Sequence, residues 1–387
     1  MKILHVFTIL TTPKVFFDAQ FQYLTHCGQE IWVVSSSLSD PDFVERNSID
    51  YIQIPIERKI SPYADLKSVS LLTRFIRREN FDIVVGHTPK GAMVAMIAAK
   101  LAGVKTRIYY RHGLIYTTAT GLKRVIFKTV ERFTALLATN IVNVSPSLSQ
   151  LAVKDKLNPD SKQTVIGCGT CGGIDTIDTF NPAKVSADTV SALRHSLGIP
   201  DDAFVVGFCG RLCHDKGIIE LIDGFNEFKQ AHPEIESRLL LVGPYDSRDI
   251  LPQYIKEEIE TDHFIIAPGA VSHHYLPNYY SLMDVFVFPS YREGFGMTVI
   301  EASAMRLPIL VSRSHGCVDS IREDVTGRYI DLTPESIASS LTEMLNPELR
   351  KRLGDAGRDF VTTNFERTAM WSKILDYYKE ILINREL

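Results

Sequence analysis

The sequence predicts an α/β protein of two doubly wound, Rossmann-like units, each a parallel sheet flanked by helices. Three observations predict it. Strand-like and helix-like runs alternate along the whole chain, a pattern that favours parallel sheets with helical crossovers. The alternation breaks once, in the glycine-rich run Gly167-Cys-Gly-Thr-Cys-Gly-Gly-Ile174, and then restarts. The length of 387 residues suits two domains at roughly 100–200 residues each. The division is placed at 1–172 and 173–368, with a terminal helix over about 369–387 crossing back to the first domain.

In the first half, strands are expected at Ile3–Phe7, Glu30–Ser35, Ile83–Val85, Thr106–Tyr110 and Asn140–Val144. Helical periodicity separates them at Phe16–His26, Leu66–Arg78, Gly91–Leu101 and Leu122–Leu137. The second half is expected to place strands at Phe204–Cys209, Arg238–Val242, Phe264–Ile266, Val285–Phe288, Ile309–Val311 and Arg328–Ile330. Its helices start near Gly217, Ile250, Tyr275, Thr298, Val318 and Pro334. The last segment, Phe365–Leu382, is amphipathic, with Trp371, Leu375 and Tyr378 on one face. Gly167, Gly169 and Gly172 fit G-x-G-x-x-G after a strand-like Thr164-Val-Ile. No helical periodicity follows, so the segment reads as an interdomain linker rather than a dinucleotide site.

Hydrophobic content of 45% and charged content of 23% are ordinary for a globular protein and leave enough apolar surface for a core in each half. No apolar run reaches the ~20 residues of a membrane span. The start, Met1-Lys-Ile-Leu-His-Val-Phe7, reads as a first strand rather than a signal peptide, so a cytoplasmic location is expected. Six scattered cysteines fit a reducing compartment. Cys168/Cys171 and Cys209/Cys213 lack the histidine spacing of a zinc finger, and no metal is expected. Asp40-Pro-Asp42, in a polar loop after Ser35-Ser-Ser37, is read as a turn rather than a metal motif. Net charge is −4, yet residues 1–175 hold 21 Lys/Arg against 14 Asp/Glu, or +7, leaving −11 for the rest. A basic first half suggests an anionic partner for that half alone. Aromatic residues are not interleaved with the basic clusters, which argues against nucleic acid as that partner.

Chemistry concentrates in the second half. Glu293 and Glu301 bracket seven residues in Glu-Gly-Phe-Gly-Met-Thr-Val-Ile-Glu, between a strand and a helix start. Glycines let backbone approach a ligand, and the free amides of a first helical turn point at any anion placed there. An ordinary strand–loop–helix with two solvated glutamates has the same spacing. A second loop, after the strand Phe204–Cys209, carries Arg211 and then Lys216-Gly217 at a helix start. A guanidinium fork and an ammonium before a helix N-terminus suit a diphosphate.

Taken together, Gly210-Arg211…Lys216-Gly217, Leu241-Val-Gly243 and Phe288-Pro-Ser290…Glu293-Gly-Phe-Gly-Met…Glu301-Ala resemble the retaining glycosyltransferases of family four, which have the GT-B fold. In the first half, Phe16-Phe17 with Gln20, His87-Thr-Pro-Lys90, Arg111-His-Gly113, Val144-Ser-Pro146 and Gly172-Gly-Ile-Asp175 resemble the capsule, exopolysaccharide and O-antigen branch. The resemblance implies two Rossmann-like domains facing a cleft, transfer from a nucleotide-sugar, UDP-linked, with retention of configuration, and no metal or other cofactor. Arg211 and Lys216 would then neutralise the leaving diphosphate. Glu301 would take the ribose and Glu293 the donor sugar. Phe295, Gly296, Met297 and Thr298 would offer backbone to sugar and phosphate, and Gly243, Ala270 and Val271 would flank the base. His112 would meet the donor sugar. The acceptor, a polyprenyl-diphosphate-linked glycan, would face Thr11, Thr12, Pro13, Lys14, His87 and Lys90. Relatives often carry a glycine pair after the first strand, where this chain has Thr8-Ile-Leu-Thr-Thr-Pro-Lys14.

The helix beginning at Leu122 is basic and amphipathic. Leu122, Val125, Ile126 and Val130 are expected to face the core, leaving Lys123, Arg124, Phe127, Lys128 and Glu131 outward. That outer side suits an anionic bilayer, hence peripheral attachment to the inner face of the plasma membrane. Two competing functions fit the same sequence: a UDP-sugar epimerase of related two-domain fold, which needs no lipid-linked acceptor, and a catalytically silent nucleotide-sugar-binding protein. Acceptor-dependent release of UDP separates the first from a transferase.

Overall fold

The computed structural model describes residues 1–10, 13, 17–38, 40–57 and 61–384. The chain divides into two compact units, residues 1–173 with 367–387, and residues 174–366. The division falls between Gly173 and Ile174 and again between Glu366 and Arg367, so the last helix belongs to the first unit.

The first unit runs β1 (Lys2–Val6), α1 (Asp18–His26), β2 (Glu30–Ser35), α2 (Pro41–Arg46), β3 (Asp50–Gln53), α3 (Pro62–Glu79), β4 (Ile83–His87), α4 (Pro89–Ala102), β5 (Thr106–Arg111), α5 (Gly121–Leu137), β6 (Asn140–Asn143), α6 (Pro146–Lys154) and β7 (Gln163–Thr164). The described strands pair in the order β3-β2-β1-β4-β5-β6-β7, all parallel. Chain order reverses between β1 and β4, the switch point where such sheets open a crevice. The central strands β1 and β4 read as continuous apolar runs because helices cover both sheet faces. One side is filled by Leu72, Phe75 and Ile76 of α3, Val94, Ala95 and Ala98 of α4, and Ala135 and Leu137 of α5.

The second unit runs α7 (Ala187–Ser196), β8 (Phe204–Cys209), α8 (Ile218–Ala231), β9 (Ser237–Val242), α9 (Gln253–Thr261), β10 (Ile265–Gly269), α10 (Leu276–Tyr280), β11 (Val285–Phe288), α11 (Met297–Ala304), β12 (Ile309–Ser312), β13 (Gly327–Ile330), α12 (Pro334–Glu343) and α13 (Pro347–Phe365). Its strands pair in the order β10-β9-β8-β11-β12-β13, again all parallel. Here the switch lies between β8 and β11. The chain enters and leaves this unit at one place, since Ile174 N–H donates to the Phe365 carbonyl at 2.9 Å. The last helix, α14 (Arg367–Ile383), buries Met370, Trp371, Ile374, Leu375, Tyr378 and Ile381. Trp371 packs on Tyr23 of α1, with ring centroids 5.6 Å apart.

Three expectations are corrected. Asp40-Pro-Asp42 opens α2 instead of forming a free turn: Asp40 caps it by accepting from Phe43 N–H, and Pro41 takes the first helical position. The segment at Val318 is a turn, not a helix start. The third concerns α5, which is rotated relative to its expected faces. Leu122, Val125 and Ile126 are solvent-exposed, together with Phe133 and Leu136. Glu131, Thr134, Ala135 and Leu137 are the buried side. The physical reason is Arg111 of β5, which is fully buried and needs a carboxylate. Glu131 supplies it at 3.5 Å and also accepts from Tyr109 OH at 2.8 Å. Lys123 and Arg124 remain exposed, but Phe127 and Lys128 are half-buried. Lys128 pairs with Asp155 at 3.3 Å and lies 5.6 Å above the Tyr116 ring.

Candidate functional site

In the second unit, the loops after β8, β9, β10 and β11 leave the carboxyl ends of adjacent parallel strands. They carry Arg211 and Lys216, Gly243, Ala270 and Val271, and Glu293 respectively. Two glycines make their close approach possible. Gly217 has φ +67°, and a Cβ there would strike the Pro289 carbonyl. Gly243 has φ +144°, and a Cβ would run into the Gly210 carbonyl.

Lys216 forms an ion pair with Glu293 across the β8/β11 switch, with both side chains largely buried. Its ammonium also lies 4.9 Å from the centre of the Phe288 ring. Ser290 Oγ donates to Glu293 Oε1 at 2.9 Å. Arg211 pairs with Asp246, whose side chain is only 4% exposed. Arg292, next to Glu293, pairs with Asp215. Asp215 is held in turn by its own N–H, which donates to Asp249 at 2.7 Å. Each cation at this edge therefore carries a carboxylate partner.

Glu301 lies in α11 and is 5% exposed. Its two oxygens are separately engaged, one by His273 Nε2 at 3.0 Å and the other by Tyr280 OH at 3.0 Å. The hydrogen bond that His273 donates to Glu301 raises the His273 pKa above its ordinary value. Burial pushes the Tyr280 hydroxyl well above the usual range, so it stays a donor. Burial also lifts the neighbouring Cys209 thiol to about 12, which keeps it a small neutral core group. At the start of α11, Gly296 stands as N-cap, and the Phe295 ring turns inward against Phe365 at 5.2 Å. Only the backbone of Phe295 is left for a ligand. Met297 N–H bonds back to the Phe295 carbonyl at 2.8 Å. Thr298 Oγ1 is buried without a hydrogen-bond partner among the described residues.

Sequence reasoning missed His273, Tyr280, Asp246, Asp215 and Arg292. His273 had one local signal, its place in Ser272-His-His274 between a strand end and a helix start. The others gain meaning only from partners 21 to 77 residues away, or from burial.

The first-unit candidates fall into separate groups. Thr11, Thr12 and Lys14 lie outside the described residues, as does Phe16; Pro13 accepts from Phe17 N–H at 2.8 Å. Lys90 pairs with Asp65 at 2.5 Å. His87 is not an acceptor-facing surface group: it is fully buried, and both ring nitrogens face other histidines. His112 is partly exposed, follows β5 and sits against His87 at 2.9 Å. Among the described residues, no helix is long and apolar enough to cross a membrane.

Residues 13–169 match the family model described as a glycosyl transferase 4-like domain, and residues 190–360 match that of glycosyl transferases group 1. The capsular polysaccharide biosynthesis glycosyltransferase CapM of Staphylococcus aureus is 28% identical over 392 residues, covering 100% of this chain and 98% of CapM. An Escherichia coli UDP-Gal:alpha-D-GlcNAc-diphosphoundecaprenol alpha-1,3-galactosyltransferase is 24% identical, covering 85% of this chain and 83% of its own. The crystal structure of Anabaena Alr3699/HepE in complex with UDP-glucose superposes with a TM-score of 0.79 at 18% identity. It covers 98% of this chain and 100% of that one.

Proposed function

The chain is a glycosyltransferase of the GT-B fold, joining a glycosyl transferase 4-like domain to a group 1 domain, and from that premise we propose that it transfers a hexose from a UDP-sugar to a lipid-linked glycan in surface polysaccharide synthesis. The observation that carries the donor side is the Lys216–Glu293 pair at the β8/β11 switch, beside Arg211 and the start of α11. A diphosphate entering there exchanges one anion for another at Lys216 and Arg211. Glu293, released, becomes free to hold sugar hydroxyls. Glu301 meets the ribose, and Thr298 Oγ1, unpartnered among the described residues, gains an oxygen partner.

In the reaction, the bond between the sugar's anomeric carbon and the diphosphate breaks, and UDP leaves. The acceptor hydroxyl oxygen bonds to that carbon on the face from which UDP departs, retaining configuration, and its proton passes to the departing diphosphate oxygen. Charge grows on the diphosphate as the bond lengthens. Lys216, Arg211 and the amides of the first α11 turn stabilise it as it develops. These cations supply the neutralisation a metal would otherwise give, so the proposed reaction is metal-independent.

The acceptor side rests on two supports. The E. coli relative acts on a diphosphoundecaprenol-linked sugar. The first half is basic, and α5 shows solvent an apolar stripe of Leu122, Val125, Ile126, Phe133 and Leu136 flanked by Lys123, Arg124 and Arg132. An exposed apolar stripe beside cations suits shallow insertion into an anionic membrane.

The experiment is to incubate the protein with UDP-hexoses, with and without a polyprenyl-diphosphate glycan, and to measure free UDP. Acceptor-dependent release, unaffected by a chelator, supports the reading. Sugar isomerisation without acceptor would identify an epimerase instead.

A further inference from the structure

Three histidines form one hydrogen-bonded line inside the first unit. His5 comes from β1, His87 ends β4, and His112 follows β5, so the line crosses the β1/β4 switch. His5 Nδ1 lies 2.9 Å from His87 Nε2, and His87 Nδ1 lies 2.9 Å from His112 Nε2. His112 Nδ1 lies 3.5 Å from Cys171 Sγ. His5 and His87 are fully buried, whereas His112 is partly exposed. Phe7 stacks on His87 at 4.2 Å, and Phe21 packs on His5 at 4.8 Å. Thr88, the next residue, holds φ +61°, an unusual backbone for a β-branched side chain.

The line has a direction. Burial lowers the pKa of His5 to about 3 and of His112 to about 4, and holds His87 well below its ordinary value, so all three rings are neutral. A neutral imidazole has one N–H and one lone pair. If every ring-to-ring contact is a hydrogen bond, only two arrangements exist. In one, the protons point toward His5, and its Nε2–H is buried with no acceptor. In the other, they point toward His112, and His5 Nε2 keeps only an unpaired lone pair. His5 Nε2 has no hydrogen-bond partner among the described residues. A buried orphan N–H is rarer and more costly than an under-used acceptor. The second arrangement therefore wins, and it places a proton on His112 Nδ1.

We propose that His5 and His87 are positioning residues that fix His112 as an Nδ1–H donor, aimed at an oxygen of the bound sugar substrate in place of the Cys171 sulfur. Sulfur is a weak acceptor, so a sugar oxygen displaces it at little loss. The role at the sugar rests on the transferase reading above; the tautomer does not.

The test uses the full chain labelled with 15N-histidine. Long-range 1H–15N spectra of the ligand-free protein report which ring nitrogen carries the proton, and a His112→Asn variant assigns the signal. Expected is a His112 ring protonated at Nδ1 only, unchanged from about pH 5.5 to about pH 8. A proton on Nε2, or an imidazolium at neutral pH, overturns the proposal. His5→Phe keeps the aromatic packing but removes the first donor. It is expected to mix the His112 tautomers and lower kcat about tenfold with donor KM little changed. His5→Gln, which restores an N–H, recovers most of that loss. Wild-type spectra and kinetics in His5→Phe would also overturn it. If His5→Phe does not fold, the wild-type spectrum decides alone. A protein with the expected spectrum but no acceptor-dependent UDP release refutes the transferase reading and leaves the tautomer assignment standing.

Discussion

At the scale of single residues, the second-unit edge is a set of cations already holding anions. Lys216 holds Glu293, Arg211 holds Asp246 and Arg292 holds Asp215. Such pairs keep long side chains in place before any ligand arrives, and in the proposed reaction they are exchanged rather than created on binding. Lys216→Ala removes the cation closest to the switch point. It is expected to lower kcat/KM by roughly 10²–10³, as measured by UDP release, because in the proposed reaction its charge acts on the developing diphosphate. His273 permits a pH test. Its pKa is raised above 6.5 by Glu301, so the stability this pair contributes is fully present below about 6.5 and is lost as pH rises through the folded value. The melting-temperature gap between wild type and His273→Ala is therefore expected to be larger at about pH 5.5 than at about pH 9. Arg211, Lys216, Glu293 and Glu301 were legible because each flanks a strand end or a helix start that hydropathy alone reveals. His273, Tyr280 and Asp246 were not, since nothing near them in sequence names their partners. The histidine line was illegible for the same reason: His5, His87 and His112 are 82 and 25 residues apart.

At the scale of elements, the parallel strands with continuous apolar runs were readable, and β2, β8 and β11 span the expected residues. The strands poor in apolar residues were not. The four-residue β3 and two-residue β7 have too few apolar positions to show a period. α5 shows how a correct helix acquires the wrong faces. Its hydropathy points Leu122, Val125 and Ile126 inward, but one buried guanidinium, Arg111, draws Glu131 to the core and turns the apolar stripe outward. That stripe makes a direct prediction. Replacing Val125 and Phe133 with Glu should abolish sedimentation with anionic liposomes at low salt, while the melting temperature stays within a few degrees, since both side chains already face solvent. Sedimentation equal to wild type would remove α5 from the membrane reading.

At the scale of the whole molecule, α14 is the last segment of the chain yet part of the first unit. It buries six side chains there, from Met370 to Ile381. At about 1.5 kcal/mol or more each, their loss is comparable to the ~5–15 kcal/mol that holds a domain together. Deleting residues 367–387 is expected to unfold the first unit at much lower denaturant while the transition of the second unit is unchanged. A single shared shift of both transitions would contradict the division. Because Ile174 and Phe365 are hydrogen-bonded neighbours, the second unit starts and stops at the same spot. It is an insert within a discontinuous host rather than one bead of two on a string. Recombination can lift it out with two cuts and set a relative's in its place with two splices. Under the proposed function, donor choice then sits on a genetic cassette, exchangeable without disturbing the first unit.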